Sequence, residues 1–390
     1  MKKILIVAPF CSLPGEQGFS RFLYLANLLS KRYDVTLLTS SFRHSTKSQR
    51  EQREDCFSYK VKVVFAPSYF SNVSLKRIFS HRVFFRNFKD WFMRNGTDFD
   101  LVYSAYPLIS TNVFLVKNKN VFNYKLIIDV QDVWPESISA AFPFVKNFPL
   151  WMIPYTSRAD FCYKGADALV AVSKTYLDRA MLVCDIPVGA VVYIGSDSDK
   201  IESAQVLNLD ERKLKLVYIG SLGHSYDIKT VVLAVNEMIE AGLPVELHIF
   251  GGGHQESELK AVAGQDINFH GYVDYDRMIS FVKSCDLGVN ALKASAPQSI
   301  TNKLSDYFSV GIPMLNSQAT EELHTLYEGY PHVNYTAGSV DSCKAAIARA
   351  LGDPSFRGKY PKEIFYRKNC YKIIEDRISS TLNINEFRPK

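Results

Sequence analysis

The stretch SITNKLSDYFSVGIPML, residues 299–315, sets a cation and a carboxylate three positions apart, Lys303 and Asp306. Its punctuation is that of a helix. Ser299 suits an N-cap, Asn302 falls beside it, Gly311 suits the position after the last turn, and Pro313 stops continuation. Ile300, Leu304, Tyr307 and Phe308 make the apolar stripe, which places Lys303 and Asp306 on a neighbouring face. A helix start carries partial positive charge, so an ammonium beside its amides suits a diphosphate. A carboxylate one turn later suits the vicinal hydroxyls of a ribose, and the two together suit a sugar nucleotide. The same spacing also describes an ordinary surface ion pair, which contributes little. The helix alone leaves both readings open.

Other residues could carry chemistry. The first apolar run, 4–9, is followed by Pro14-Gly15-Glu16-Gln17-Gly18 and then by a helical pattern with Phe22, Leu25, Leu28 and Leu29. Glycines between a strand and a helix let the backbone approach a phosphate, or simply make a loop. No G-x-G-x-x-G is present, so a dinucleotide is not expected. KLVYIGSLGHSYDIKT (215–230) repeats the strand–glycine–helix order with Gly220, Ser221, Leu222 and Gly223, and HIFGGGHQESELK (248–260) ends a strand in three glycines. His224 and His254 lack metal-ligand spacing and read as polar loop residues. Asp132 and Glu136 lie just past an apolar run at 125–130, where they could orient or deprotonate an acceptor hydroxyl or merely cap a loop. Residues 75–96, LKRIFSHRVFFRNFKDWFMRNG, hold six Lys and Arg against one acid, interleaved with aromatics. Arg82, Arg86, Lys89 and Trp91 there suit a helix lying on an anionic membrane, because the aromatics outnumber what one core face requires; a core helix with a basic outer face has the same composition.

The elements that must position these groups are short β-branched runs alternating with helices. Runs at 4–9, 35–40, 61–66, 100–105, 125–130, 168–173 and 191–195 are followed by a second series at 215–220, 245–251, 267–273, 286–292 and 313–317. Nearly continuous apolar strands between helices mean parallel sheets covered on both faces. Two doubly wound αβ domains follow, as the 390-residue length also suggests. Ligands of such sheets sit outside the carboxyl ends of the strands. The net charge of +6 divides unevenly: residues 1–195 hold 25 Lys and Arg against 15 Asp and Glu, and residues 196–390 hold 21 against 25. A basic first half suits an anionic surface or ligand there, and no nucleic-acid motif accompanies it. Seven cysteines with no pair closer than 22 residues exclude C-x-x-C chemistry and fit a reducing cytoplasm. No apolar run approaches the length of a membrane span.

Read in order, IGSLGHSYD, IFGGG, FHGYV and S-x-x-x-K-x-x-D-Y-x-x-x-G-x-P resemble the C-terminal domain of GT-B glycosyltransferases of family 4. The opening MKKILIVAPF, IIDVQDVWPES (127–137), ADALVAVS (166–173) and YIGSD (193–197) resemble the same family, in its branch building bacterial capsule, exopolysaccharide and O-antigen repeats. The resemblance implies two Rossmann-like domains facing a cleft: 1–196 for the acceptor, 197–365 for the nucleotide sugar, and a helix in 366–390 crossing back. It implies a retaining transfer, without metal or cofactor, from a UDP-hexose or UDP-N-acetylhexosamine to a polyprenyl-diphosphate-linked glycan at the inner face of the plasma membrane. It places the ribose carboxylate on Asp306, where Glu is usual, and the phosphate-facing Lys on Lys303. Gly220–Gly223, Gly15 and Gly18 fall on its phosphate loops, and Gly251, Gly252, Tyr272 and Val273 near its nucleobase. Three positions depart from the pattern. Gln298 stands where a sugar-binding Glu is frequent, Gln131 replaces the His before Asp132, and the Arg or Lys often following the 220–223 loop is not evident, with Tyr226 and Lys229 nearby. Gln298 and Gln131 motivate an alternative, a catalytically silent subunit that activates a partner glycosyltransferase.

Overall fold

The computed structural model describes residues 1–16, 20–50, 57–71, 74–136, 152–184, 189–294, 296 and 300–383. Gly18, Gln298 and Ser299 lie outside them. The chain divides into two compact units: Met1–Val192 with the segment from Tyr371 onward, and Tyr193–Cys370.

The first unit runs β1 (Lys3–Val7), α1 (Arg21–Leu29), β2 (Asp34–Ser40), a hairpin of β3 (Phe42–Arg43) and β4 (Ser48–Gln49), β5 (Lys60–Val64), α2 (Leu75–Asn95), β6 (Leu101–Tyr106), α3 (Ile109–Phe122), β7 (Lys125–Val130), α4 (Thr156–Gly165), β8 (Ala168–Ala171), α5 (Lys174–Met181) and β9 (Gly189–Val191). Its parallel sheet has the order β5-β2-β1-β6-β7-β8-β9. The chain lays strands to one side of β1 and then to the other, so the crevice forms where β1 meets β6. Ile4–Val7 and Leu126–Ile128 are fully buried, as both-face coverage requires.

The second unit continues with α6 (Ser198–Ser203), β10 (Leu214–Ile219), α7 (Ile228–Glu240), β11 (Val245–Phe250), α8 (Glu256–Val262), β12 (Ile267–Gly271), α9 (Tyr275–Ser284), β13 (Leu287–Asn290), α10 (Asn302–Val310), β14 (Met314–Asn316), α11 (Glu321–Tyr327), β15 (His332–Asn334), α12 (Val340–Gly352) and the start of α13 (Arg367–Asn383). The sheet order is β12-β11-β10-β13-β14-β15, with the crevice between β10 and β13. The short β15 and the β3–β4 hairpin were invisible as patterns, being two or three residues each.

Two expectations change. α10 begins at Asn302 with Thr301 as its N-cap, two residues later than Ser299 would place it. Its end is as read: Gly311 takes φ 80°, and a Cβ there would meet the Tyr360 and Pro361 backbone at 2.3–2.4 Å. In α2 the aromatics are mostly core. Phe84, Phe88 and Phe92 are buried one turn apart and pack edge-on to Phe114 or beside one another. Trp91, expected on the outer face, packs with Phe99 against the same core. The aromatic excess therefore does not hold for the middle of the helix; its exposed apolar residues are Leu75, Ile78 and Phe79 at the start and Met93 near the end. Among the described residues, no helix is long and apolar enough to cross a membrane.

Candidate active site

At the carboxyl ends of β10, β11 and β12, three glycine turns are laced together through their backbones. Gly220 N–H donates to Phe250 O, Gly251 N–H to Gly271 O, and Leu222 N–H to Gly252 O. A Cβ on Gly251 would lie 2.0 Å from Gly220 O, and one on Gly253 would lie 2.5 Å from Leu222 O. Their φ values of 113° and 158° exclude a side chain independently. These glycines let the turns touch each other. Leu222, expected to face the donor, is instead fully buried in the core, and its backbone N–H and C=O are taken by Gly252 O and the Gln255 N–H. Gly223 borders open space, and the Tyr272 ring lies against Gly252 at 85% exposure. Val273 is partly buried against the adjoining core.

α10 starts beside these turns. Lys303 and Asp306 do not pair with each other. Lys303 is 6% exposed, with Nζ 4.0 Å from the ring centroid of Tyr226 and 4.7 Å from that of Tyr218. Such faces attract a cation but supply no hydrogen bond. Burial pushes the Lys303 ammonium down to about 7. Nζ and the Thr301 hydroxyl are both buried without a hydrogen-bond partner. Asn302, between them, is exposed. Asp306 turns the other way: its Oδ1 accepts from Ser196 Oγ at 2.5 Å and from Tyr275 Oη at 2.7 Å. Burial raises the Asp306 carboxyl, while these two donors oppose the rise. Tyr226 was named in the sequence only as the residue standing near an absent base, and it is the closest ring to Lys303. Lys229 pairs on the surface with Glu258.

In the first unit a cavity of about 170 Å³ lies at the carboxyl ends of β1, β6 and β7, lined by Phe10, Cys11, Ser20, Tyr106 and Gln131 among others. The Gln131 Nε2 is buried with no hydrogen-bond partner. Glu136 forms an ion pair with Arg179, which also holds Asp160. Through these ion pairs Arg179 of α5 ties Glu136, in the loop after β7, to Asp160 of α4. Asp132 stays beyond the end of β7, close in sequence to the cavity. The Cys11 thiol bonds Ser20 Oγ and is pushed up to about 11 by burial, which makes it a poor nucleophile. Gly15 takes φ 78° in the turn after β1. That turn is fastened by Arg50, whose guanidinium donates to Glu16, to Cys11 O and to Ser40 O. Nothing in the sequence pointed to Arg50, since it acts across 34 residues.

Three Asp-x-Asp tripeptides occur, at 98–100, 197–199 and 274–276. Asp100 bonds Lys2 and the Lys3 amide, Asp197 caps α6, and Asp276 pairs with Lys200. Among the described residues no three His, Cys, Asp or Glu stand where they could share a metal ion. A further cavity of about 190 Å³ lies between α11 and the β14–β15 edge, lined by Gln318, His324, His332 and Asn334, apart from the glycine turns.

Residues 213–353 match the family model described as Glycosyl transferases group 1. No curated protein matches the chain. Among solved structures, sucrose-phosphate synthase from Thermosynechococcus elongatus is similar at 13% identity, with 99% of this chain and 98% of that chain covered and a TM-score of 0.67. Anabaena Alr3699/HepE in complex with UDP is similar at 13% identity, 99% of each chain and a TM-score of 0.63. The lipopolysaccharide outer core galactosyltransferase WaaB is similar at 17% identity, covering 97% of this chain and 99% of that chain, with a TM-score of 0.60. At such identities these likenesses establish the fold, which is GT-B. With residues 213–353 matching a glycosyl transferases group 1 domain, the chain is a glycosyltransferase of GT-B fold.

Proposed function

We propose that the protein moves a sugar, with retention, from a UDP-hexose or UDP-N-acetylhexosamine to a polyprenyl-diphosphate-linked glycan during surface polysaccharide assembly, as in the family 4 enzymes of capsule and O-antigen synthesis. The observation that carries the donor side is the start of α10. Thr301 Oγ1 and Lys303 Nζ are buried without hydrogen-bond partners at a helix N-terminus, beside glycine turns at a sheet switch point. A diphosphate supplies what both lack. Structural neighbours include one described with UDP and one that is a galactosyltransferase.

In this reading Lys303 and the first amides of α10 neutralise the departing diphosphate without a metal. Asp306, oriented by Ser196 and Tyr275 through Oδ1, meets the ribose hydroxyls with Oδ2. The exposed Tyr272 ring stacks on the base, and Gly15 and Gly18 are the first-domain glycines we assign to the phosphate or the transferred sugar. Gln131, lining its cavity with a free amide donor, positions the acceptor together with Asp132. The enzyme works in the cytoplasm at the inner membrane surface, held by Arg82, Arg86 and Lys89, which are exposed on α2.

Calorimetric titration with UDP and GDP tests the donor assignment. UDP should bind, and binding and transfer should survive EDTA. A strict need for added Mg²⁺ or Mn²⁺ would contradict the phosphate site described. Absence of any nucleoside diphosphate binding would favour the silent-subunit alternative.

A further inference from the structure

The hairpin β3–β4 and the start of α2 gather a second set of bases in the first unit. His44 Nδ1 bonds Tyr69 Oη at 2.6 Å and lies 3.2 Å from Lys47 Nζ. Lys47 Nζ sits 5.0 Å from the centroid of the Tyr69 ring. His81, one turn after Arg77 in α2, lies 6.2 Å from Tyr69 and 5.6 Å from Phe10, and Phe10 lies 5.3 Å from His44. The charged groups acting on His44 are Lys47 and Arg77, and those acting on His81 are Arg77 and His44. Burial and these cations push both imidazoles down to about 4. Burial and Arg77 lower Lys47 as well. The His81 Nε2 is buried with no hydrogen-bond partner.

With both imidazoles neutral near pH 7, the charges set against each other in the empty protein are those of Lys47 and Arg77. An anion entering among them removes that opposition, and a phosphate offers acceptors to several donors at once. The adjoining residues are apolar and exposed: Phe70 at 79% and Leu75 at 84%, with Ile78 and Phe79 on the next turn. A ligand that is anionic at one end and apolar at the other matches both features.

We propose that His44, Lys47, Arg77 and His81 bind the diphosphate of a prenyl-linked acceptor, with Phe70, Leu75, Ile78 and Phe79 contacting the first part of its chain. The proposal rests on the lipid-linked acceptor in the reading above, and it supplies that reading with a headgroup site distinct from the α10 diphosphate site. It differs from surface attraction by Arg82, Arg86 and Lys89, because it requires a specific diphosphate and not a charged bilayer.

The test is titration of the full chain with farnesyl diphosphate, inorganic pyrophosphate and farnesol, each in saturating UDP. Farnesyl diphosphate should bind more tightly than pyrophosphate, and farnesol least. Lys47→Gln with Arg77→Gln should lower farnesyl diphosphate affinity tenfold or more while leaving UDP affinity unchanged. Should that double variant not fold, His81→Gln alone must still lower the affinity severalfold. Unchanged affinity in folded variants that still bind UDP would overturn the site. Pyrophosphate binding as tight as farnesyl diphosphate would overturn the lipid source and leave a site for a free phosphate compound. Farnesol binding as tight would overturn the role of the bases. If wild-type protein fails to bind UDP yet farnesyl diphosphate binding still depends on Lys47 and Arg77, the donor reading fails and this one stands.

Discussion

In α10 the fold buries a lysine between two tyrosine rings, whereas in α2 it buries Phe84, Phe88 and Phe92 and leaves Arg82, Arg86 and Lys89 in solvent. The two helices looked alike in one respect: each carried charge that composition could not explain. Their burial separates them. An ammonium without hydrogen bonds inside a protein is costly, which is why the proposed function gives Lys303 a diphosphate to complete it. An exposed arginine costs almost nothing, so α2's charges are compatible with a membrane and equally with water alone.

The comparison can be broken most forcefully at α2. Phe88 is fully buried among Phe84, Phe92 and Phe114, so Phe88→Ala should cost about 3–5 kcal/mol of stability. Chemical denaturation measures this, and a loss under about 1 kcal/mol would return the helix to the membrane reading in full. Reversing Arg82, Arg86 and Lys89 to Glu removes about 1 kcal/mol of surface attraction per residue. Binding to anionic vesicles should then vanish while folding and UDP affinity persist. Vesicle binding indifferent to the reversals would dismiss α2 as the contact.

At α10 the expected effects are smaller and more specific. Asp306→Ala removes a charge-assisted contact worth about 1.5–3 kcal/mol, so UDP affinity should fall by tens of fold in a folded protein. Unchanged affinity would mean that Asp306 serves only Ser196 and Tyr275. The mildest effect is on pH. Lys303 sits at about 7 when the site is empty, and a bound diphosphate favours its charged form. Above pH 7 binding must therefore recruit a proton, and UDP affinity should fall by up to about tenfold per unit towards pH 9. Stability moves oppositely. The folded value lies below the ordinary 10.5, so the unfolded chain holds the extra proton between about 7 and 10.5, and the contribution of Lys303 to stability rises with pH across that window.

Much of the architecture was legible because parallel strands must be apolar on both faces, and runs such as ILIV and KLIIDV carry that requirement openly. Strand ends moved by one or two residues, and by four at β9, which stops at Val191 where the apolar run reaches 195, since hydrogen bonding and not hydrophobicity decides where a strand stops. At the site, residue types were legible but directions were not. The spacing of Lys303 and Asp306 allowed an ion pair, and only tertiary structure could turn one side chain to Tyr218 and Tyr226 and the other to Ser196 and Tyr275. Leu222 and Glu136 show the same limit: a loop leucine and a loop glutamate say nothing of the core or the arginine that claims them. Arg50 and the Arg21–Asp129 pair, buried together at 2.7 Å, were out of reach because their partners are 34 and 108 residues away.

The central claim is that Lys303 is held for a diphosphate. Lys303→Met keeps the length and packing of the side chain but removes the buried charge, and its UDP affinity by calorimetry at pH 7, read beside its thermal midpoint, tests that claim most directly. UDP affinity should drop at least tenfold while the unliganded midpoint stays or rises, because an ammonium without hydrogen bonds has been replaced by an apolar group. Undiminished UDP affinity in the folded variant would contradict the claim and leave Lys303 a buried lysine held by its two tyrosines alone.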